Sequence, residues 1–185
     1  NILKMCYCNY GELAVIKGEF SLADNYLYNA EEISKREFKD PELITIYSLQ
    51  VLLSLLKNET GIARNIGGRL RRYYEQFETV NPQKSVLYAS SLMLLEAMTG
   101  SEKETFIELD AKLLALLNRF PLFKQTNYLF YITCRIIFYR KQGNRDSAMN
   151  LIMDVEKSDV RSSHSLFQML YYYHAALFLK DAAPS

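Results

Sequence analysis

Two histidines, His164 and His174, and three cysteines, Cys6, Cys8 and Cys134, are of the types that most often ligate metals or act as nucleophiles. The histidines stand ten residues apart, and neither has a cysteine, histidine or carboxylate at the short spacing a metal centre requires. Cys6 and Cys8 are two apart in a helical pattern, so their side chains point to different faces. An odd count without metal spacing fits reduced, mostly buried thiols in a cytoplasmic protein. No GxSxG elbow, HExxH motif, Gly-rich phosphate loop or paired-aspartate motif occurs. The sequence therefore predicts no enzyme, no cofactor and no metal.

One stretch has a different kind of chemistry. Ala63 to Tyr74 (ARNIGGRLRRYY) places Arg64, Arg69, Arg71 and Arg72 before two tyrosines, a composition that suits phosphate or an acidic partner. Gly67-Gly68 falls inside a helical pattern, so it is no phosphate cradle. Glu75 and Glu78 follow the arginines, and the whole chain carries a net charge of only +1. A solvated helix face is the simpler reading, and no nucleic-acid contact is expected.

The elements that would position these residues are helices. Gly and Pro together make 11 of 185 residues, about half their usual share, which suits long helices joined by short turns. Hydrophobic residues make up 49%, ample for a core. Apolar residues recurring at three- and four-residue steps predict helices over Ile2–Lys17, Phe20–Arg36, Pro41–Lys57, Ile62–Val80, Pro82–Thr99, Glu102–Arg119, Leu122–Gln142, Arg145–Lys157 and Ser165–Lys180. Asp40-Pro41, Asn81-Pro82 and Asn144 are start signals, and Ser101 with Glu104 spells a capping box. The most apolar stretches, Tyr128–Tyr139 and Met169–Leu179, are too short to span a bilayer and are interrupted by Arg135 and His174. No membrane partner is expected, and a strand signal is missing throughout. The fold class is all-α.

Turns between paired helices are expected at Gly18, Asn58, Gly100 and Gly143, steps of 40, 42 and 43 residues. A near-constant step is the mark of one supersecondary unit used repeatedly. In the first unit Gly11, Ala14, Gly18, Phe20, Ala23, Leu27 and Ala30 follow in the order of the tetratricopeptide (TPR) pattern. Ile136, Tyr139, Gly143, Ala148, Ile152 and Val155 take the corresponding places in the fourth. The chain thus resembles a TPR array, with Lys35 near where the usual proline stands. The resemblance implies a right-handed α-solenoid of about four and a half helical hairpins. Its units would be about 1–38, 41–80, 82–120 and 122–158, with a last helix at 163–181. A length of 185 residues fits a single domain, and an opening at Asn1 that runs directly into helical pattern suggests a piece of a longer protein.

In TPR-like arrays the first helix of each pair lines a concave face that receives a peptide or partner helix. Alignment on the first unit nominates Glu12, Ser48, Leu52, Leu94, Phe130, Thr133, Ile137, Arg140, Lys141 and Tyr173. Apolar walls ending at Thr133, Arg140 and Lys141 suit an extended peptide with an acidic group. On this reading Thr133→Arg or Leu94→Glu would weaken a partner without unfolding the chain. The arrangement resembles the peptide-sensing or dimerising array of bacterial transcription regulators, which implies a peptide, a protein segment or a second copy as partner. A scaffold or dimerisation module without a groove is the alternative, and a nucleic-acid-binding repeat domain a further one.

Overall fold

The computed structural model describes residues 2–37, 39–77, 81–100, 103–156 and 165–182. Among these, every regular element is an α-helix: α1 (Ile2–Lys17), α2 (Phe20–Ser34), α3 (Glu42–Leu56), α4 (Thr60–Tyr74), α5 (Pro82–Thr99), α6 (Lys103–Arg119), α7 (Pro121–Lys141), α8 (Arg145–Glu156) and α9 (Ser165–Ala182). The helices cluster into two compact units, Asn1–Leu95 and Glu96–Ser185, with the division inside α5.

All four expected turn residues adopt left-handed backbone: Gly18 at φ 75°, Asn58 at 61°, Gly100 at 65° and Gly143 at 70°. Three share one hydrogen-bond pattern. Gly18 N–H donates to the Val15 carbonyl and Glu19 N–H to Ala14; Asn58 and Glu59 do the same to Leu55 and Ser54, and Gly143 and Asn144 to Arg140 and Tyr139. A bond back three residues paired with one back five is the Schellman closure of a helix, which satisfies carbonyls the helix end would leave open. The residues that follow repeat as well, Glu19 at φ −83°, ψ 61° and Glu59 at φ −91°, ψ 61°. Sequence spacing therefore corresponds to a repeated local geometry.

In the first unit α1 packs on α2, α3 on α4, and α3 returns against both α1 and α2. Small residues allow the close approach. A Cβ on Gly11 would lie 2.9 Å from Leu27 Cδ2, and Ala14, Ala23, Leu27 and Ala30 are all enclosed. In the second unit α7 is central, meeting α6, α8 and α9. Ile136, Ala148, Ile152 and Val155, the counterparts of the first unit's pattern, are buried there.

Helix ends differ from expectation where hydrogen bonding overrides periodicity. α4 begins at Thr60 because the turn closure at Asn58–Glu59 lets Ala63 N–H bond Glu59. It ends at Tyr74, since Gln76 and Phe77 bond back only three residues and tighten the chain. Asp40 Oδ1 accepts from Glu42 N–H, Asn81 Oδ1 from Lys84 N–H and Asn144 Oδ1 from Ser147 N–H, as start signals do. The Ser101 capping box and His164 lie outside the described residues.

Candidate functional site

Among the described residues no group of three His, Cys, Asp or Glu side chains is placed to hold a metal, and no helix is long and apolar enough to cross a membrane. The three cysteines are free. Burial, with the nearby Glu42 charge adding to it, pushes the Cys8 thiol up to about 11, and full burial raises Cys134 further. Neither is a thiolate at neutral pH, so neither has the character of a nucleophile.

The ten nominated surface residues divide by exposure. Ser48, Leu52, Leu94, Phe130, Thr133 and Ile137 are buried by the chain itself. Glu12 and Arg140 are half-buried, while Lys141 and Tyr173 are exposed. Phe130, Thr133 and Ile137 fall on one stripe of α7. The Phe130 ring packs 4.7 Å from Phe167 of α9, and Thr133, fully enclosed, donates its hydroxyl to the Leu129 carbonyl at 2.7 Å. An Arg at 133 or a Glu at Leu94 would have to enter packed core, so the expectation that these substitutions spare the fold is revised. The reason is that α7 is apolar nearly all round over Leu129–Phe138, and periodicity alone does not say which side meets a neighbouring helix.

What remains open on this surface is the C-terminal end of α7 with α9. Arg140 Nη2 and Nε both meet Asp181 Oδ2, at 2.6 and 2.8 Å, and Arg145 donates to the Asp181 carbonyl at 3.0 Å. Lys141 donates to the Met98 carbonyl. Beside them His174 is enclosed and packs edge-on to the Tyr173 ring at 5.1 Å. Burial lowers its pKa to about 4, with the Arg140 and Lys141 charges adding, so the imidazole is neutral. Three nominated residues, Arg140, Lys141 and Tyr173, are thus gathered around His174. Glu12, Ser48, Leu52 and Leu94 belong to the first unit.

The arginine-rich stretch is only in part a solvated face. Arg64, Arg71 and Arg72 are exposed, but Arg69 turns inward. Its guanidinium lies 4.5 Å above the Tyr47 ring, donates to the Tyr47 hydroxyl at 3.1 Å and pairs with Glu31. Glu31, on α2, is buried and also accepts from Gln50 (2.8 Å) and Lys35 (2.9 Å). Burial alone would raise this carboxyl, but hydrogen bonds from Gln50, Lys35 and Arg69 together hold it below the usual range. Tyr73, one turn after Arg69, meets Tyr47 edge-to-face at 6.1 Å.

A second open feature lies between α8 and α9, a cleft of about 380 Å³. It is lined by Ile152, Val155 and Glu156 of α8 and by Tyr171, Tyr172, Ala175, Ala176 and Leu179 of α9. The Tyr171 and Tyr172 rings are 5.3 Å apart and steeply inclined. Tyr172 and Leu179 are exposed. Sequence reasoning did not nominate this cleft, although a signal for it existed. Glu156 follows the turn residue Gly143 by 13 positions, as Glu31 follows Gly18.

Compared with family models, with curated proteins and with solved structures, the chain finds no match.

Proposed function

We propose that this chain is a non-catalytic helical-repeat module that binds a protein or peptide segment, its hairpins arranged as a right-handed, TPR-like solenoid. The observation that carries this reading is the recurrence of one turn geometry at Gly18, Asn58 and Gly143, with α1 packed on α3 inside the first unit and α7 on α9 inside the second. Units that bury their faces only against neighbours form such arrays, and their inner helices present a continuous surface. The acceptor surface on this reading is the exposed end of α7 and α9, where Tyr173, Arg140 and Lys141 offer an aromatic face and cations to an acidic segment. A role as the sensing or dimerisation region of a bacterial transcription regulator follows from the resemblance of the sequence pattern.

The test is selection of a displayed random-peptide library on the immobilised chain. Enriched peptides should carry acidic residues and lose at least about tenfold in affinity on Tyr173→Ala or Arg140→Ala, both outside the core. Failure to enrich any sequence, or enrichment indifferent to both substitutions, overturns the reading. Light scattering over a range of concentrations separates a peptide receptor from a dimerisation module.

A further inference from the structure

In the first unit a carboxylate on one hairpin's second helix is covered by the second helix of the next hairpin. Glu31 of α2 faces Tyr47 and Gln50 of α3, and α4 closes over them, inserting Arg69 between Glu31 and the Tyr47 ring. The second unit repeats the first half of this arrangement. Glu156 stands 13 residues after its turn glycine, as Glu31 does, and Tyr172 follows Glu156 by 16 residues, as Tyr47 follows Glu31. Ile152 and Val155 occupy the places of Leu27 and Ala30. Both Glu156 and Tyr172 line the α8–α9 cleft.

The second half of the arrangement differs. Glu31 and Tyr47 are 5% and 6% exposed under α4, whereas Tyr172 is 58% exposed and Glu156 is open to solvent. No described helix stands over Glu156 as α4 stands over Glu31, and among the described residues Glu156 has no ion-pair partner. An apolar cleft with one carboxylate and an inclined pair of tyrosine rings is complementary to a cation carried on an apolar stripe.

We infer that the α8–α9 cleft docks an amphipathic helix of a partner protein in the manner of α4, its arginine entering between Glu156 and the Tyr172 ring. The docking face follows from α4 itself: an aliphatic stripe such as Ala63, Ile66 and Leu70, with an arginine beside it and an aromatic residue one turn later, as Arg69 and Tyr73 are arranged. This inference goes beyond the acidic-segment surface proposed above. It uses another face of α9 and the opposite charge, so either can fail alone.

The probe is a labelled peptide of residues 60–75 (TGIARNIGGRLRRYYE), with Gly68→Ala to favour the helix, titrated into the intact chain by fluorescence anisotropy. The expected result is saturable binding, weakened at least about tenfold by Glu156→Arg and by Tyr172→Ala. Both positions are exposed, so unchanged melting of these variants verifies their fold. A peptide with Arg69→Glu should fail on the native chain and recover on the Glu156→Arg variant. The inference is overturned if the native chain does not bind the peptide. It is equally overturned if binding is indifferent to Glu156→Arg, which would place the peptide elsewhere.

Discussion

Adjacent glycines in α4 should respond to the same substitution with opposite signs. Replacing a helix-interior glycine by alanine gains about 1 kcal/mol from backbone entropy and solvation, wherever the new methyl has room. At Gly68 it has room. An added Cβ there meets only the Arg72 guanidinium, at 3.9 Å. At Gly67 it would stand 2.5 Å from Leu95 Cδ2 and 3.6 Å from Leu92 Cδ2. Leu95 is 4% exposed, so its methyl must move into packed core. Overpacking of that kind costs about 1–3 kcal/mol, which cancels or exceeds the propensity gain. Gly68→Ala should therefore stabilise by about 0.5–1 kcal/mol, and Gly67→Ala should be neutral to about 2 kcal/mol destabilising. Urea unfolding followed by far-UV circular dichroism gives both values on one scale. Leu95→Val in the Gly67→Ala background separates steric conflict from other causes: the double variant should lose less than the two single losses combined. If Gly67→Ala stabilises as much as Gly68→Ala, the close approach of α4 to Leu92 and Leu95 is wrong.

At the turns, Gly18→Ala meets open space but must hold a left-handed φ, so it should cost about 1–2 kcal/mol, while Asn58→Gly should gain up to about 1 kcal/mol; the shift in urea midpoint reads both. His174 has a folded pKa of about 4 against an ordinary 6.5, so the unfolded chain takes up the proton first. Its contribution is complete above pH 6.5 and is lost as pH falls towards 4, by at most about 3 kcal/mol, and His174→Gln should flatten the melting-temperature profile across that window. Arg69→Met should cost about 1–2 kcal/mol, since it leaves a buried carboxylate to Lys35 and Gln50 while Arg69 itself is a third exposed. That cost should shrink as pH falls below the ordinary 4.5 through the depressed pKa of Glu31, where protonation of the carboxyl removes the charge Arg69 satisfies; a double-mutant cycle with Glu31→Gln measures the coupling.

The turns were legible because few residues tolerate left-handed backbone. Gly18, Gly100, Gly143 and the substitute Asn58 announce themselves by type, and their spacing announces a repeat. Helix existence was legible from periodicity, and start signals at Asn81 and Asn144 from side chains that compete for backbone N–H groups. Facing was not legible where a helix is apolar on every side. Leu129–Phe138 could present Thr133 or hide it, and only the position of α9 decides. Buried charge was not legible either. Lys4 reads as the polar edge of a first helix, yet it is 4% exposed and bonded to Asp40 and Glu37, partners more than thirty residues away. Arg69 is the same case: among four arginines in nine residues, sequence does not mark the one that Glu31 captures.

Two glutamates in equivalent positions carry the functional argument, because their surroundings differ by what each can hydrogen-bond. Glu31 draws on Gln50, Lys35 and Arg69, three donors that together outweigh the penalty of its burial. In the second unit the position of Gln50, three residues after the tyrosine, is Ala175. The neutral amide donor is missing there, and a methyl lines the cleft instead. Among the described residues Glu156 has no ion-pair partner, so a helix closing over it would strip its water and has to bring the compensating donor. An apolar helix would therefore be rejected by the uncompensated carboxylate, and a lysine would supply a compact charge but no planar face for Tyr172. Arginine does both, so replacing the peptide's Arg69 by Lys should weaken docking even though the net charge is unchanged. Equal affinity of the two peptides would mean that charge alone selects the occupant and that the Tyr172 ring is no part of the site.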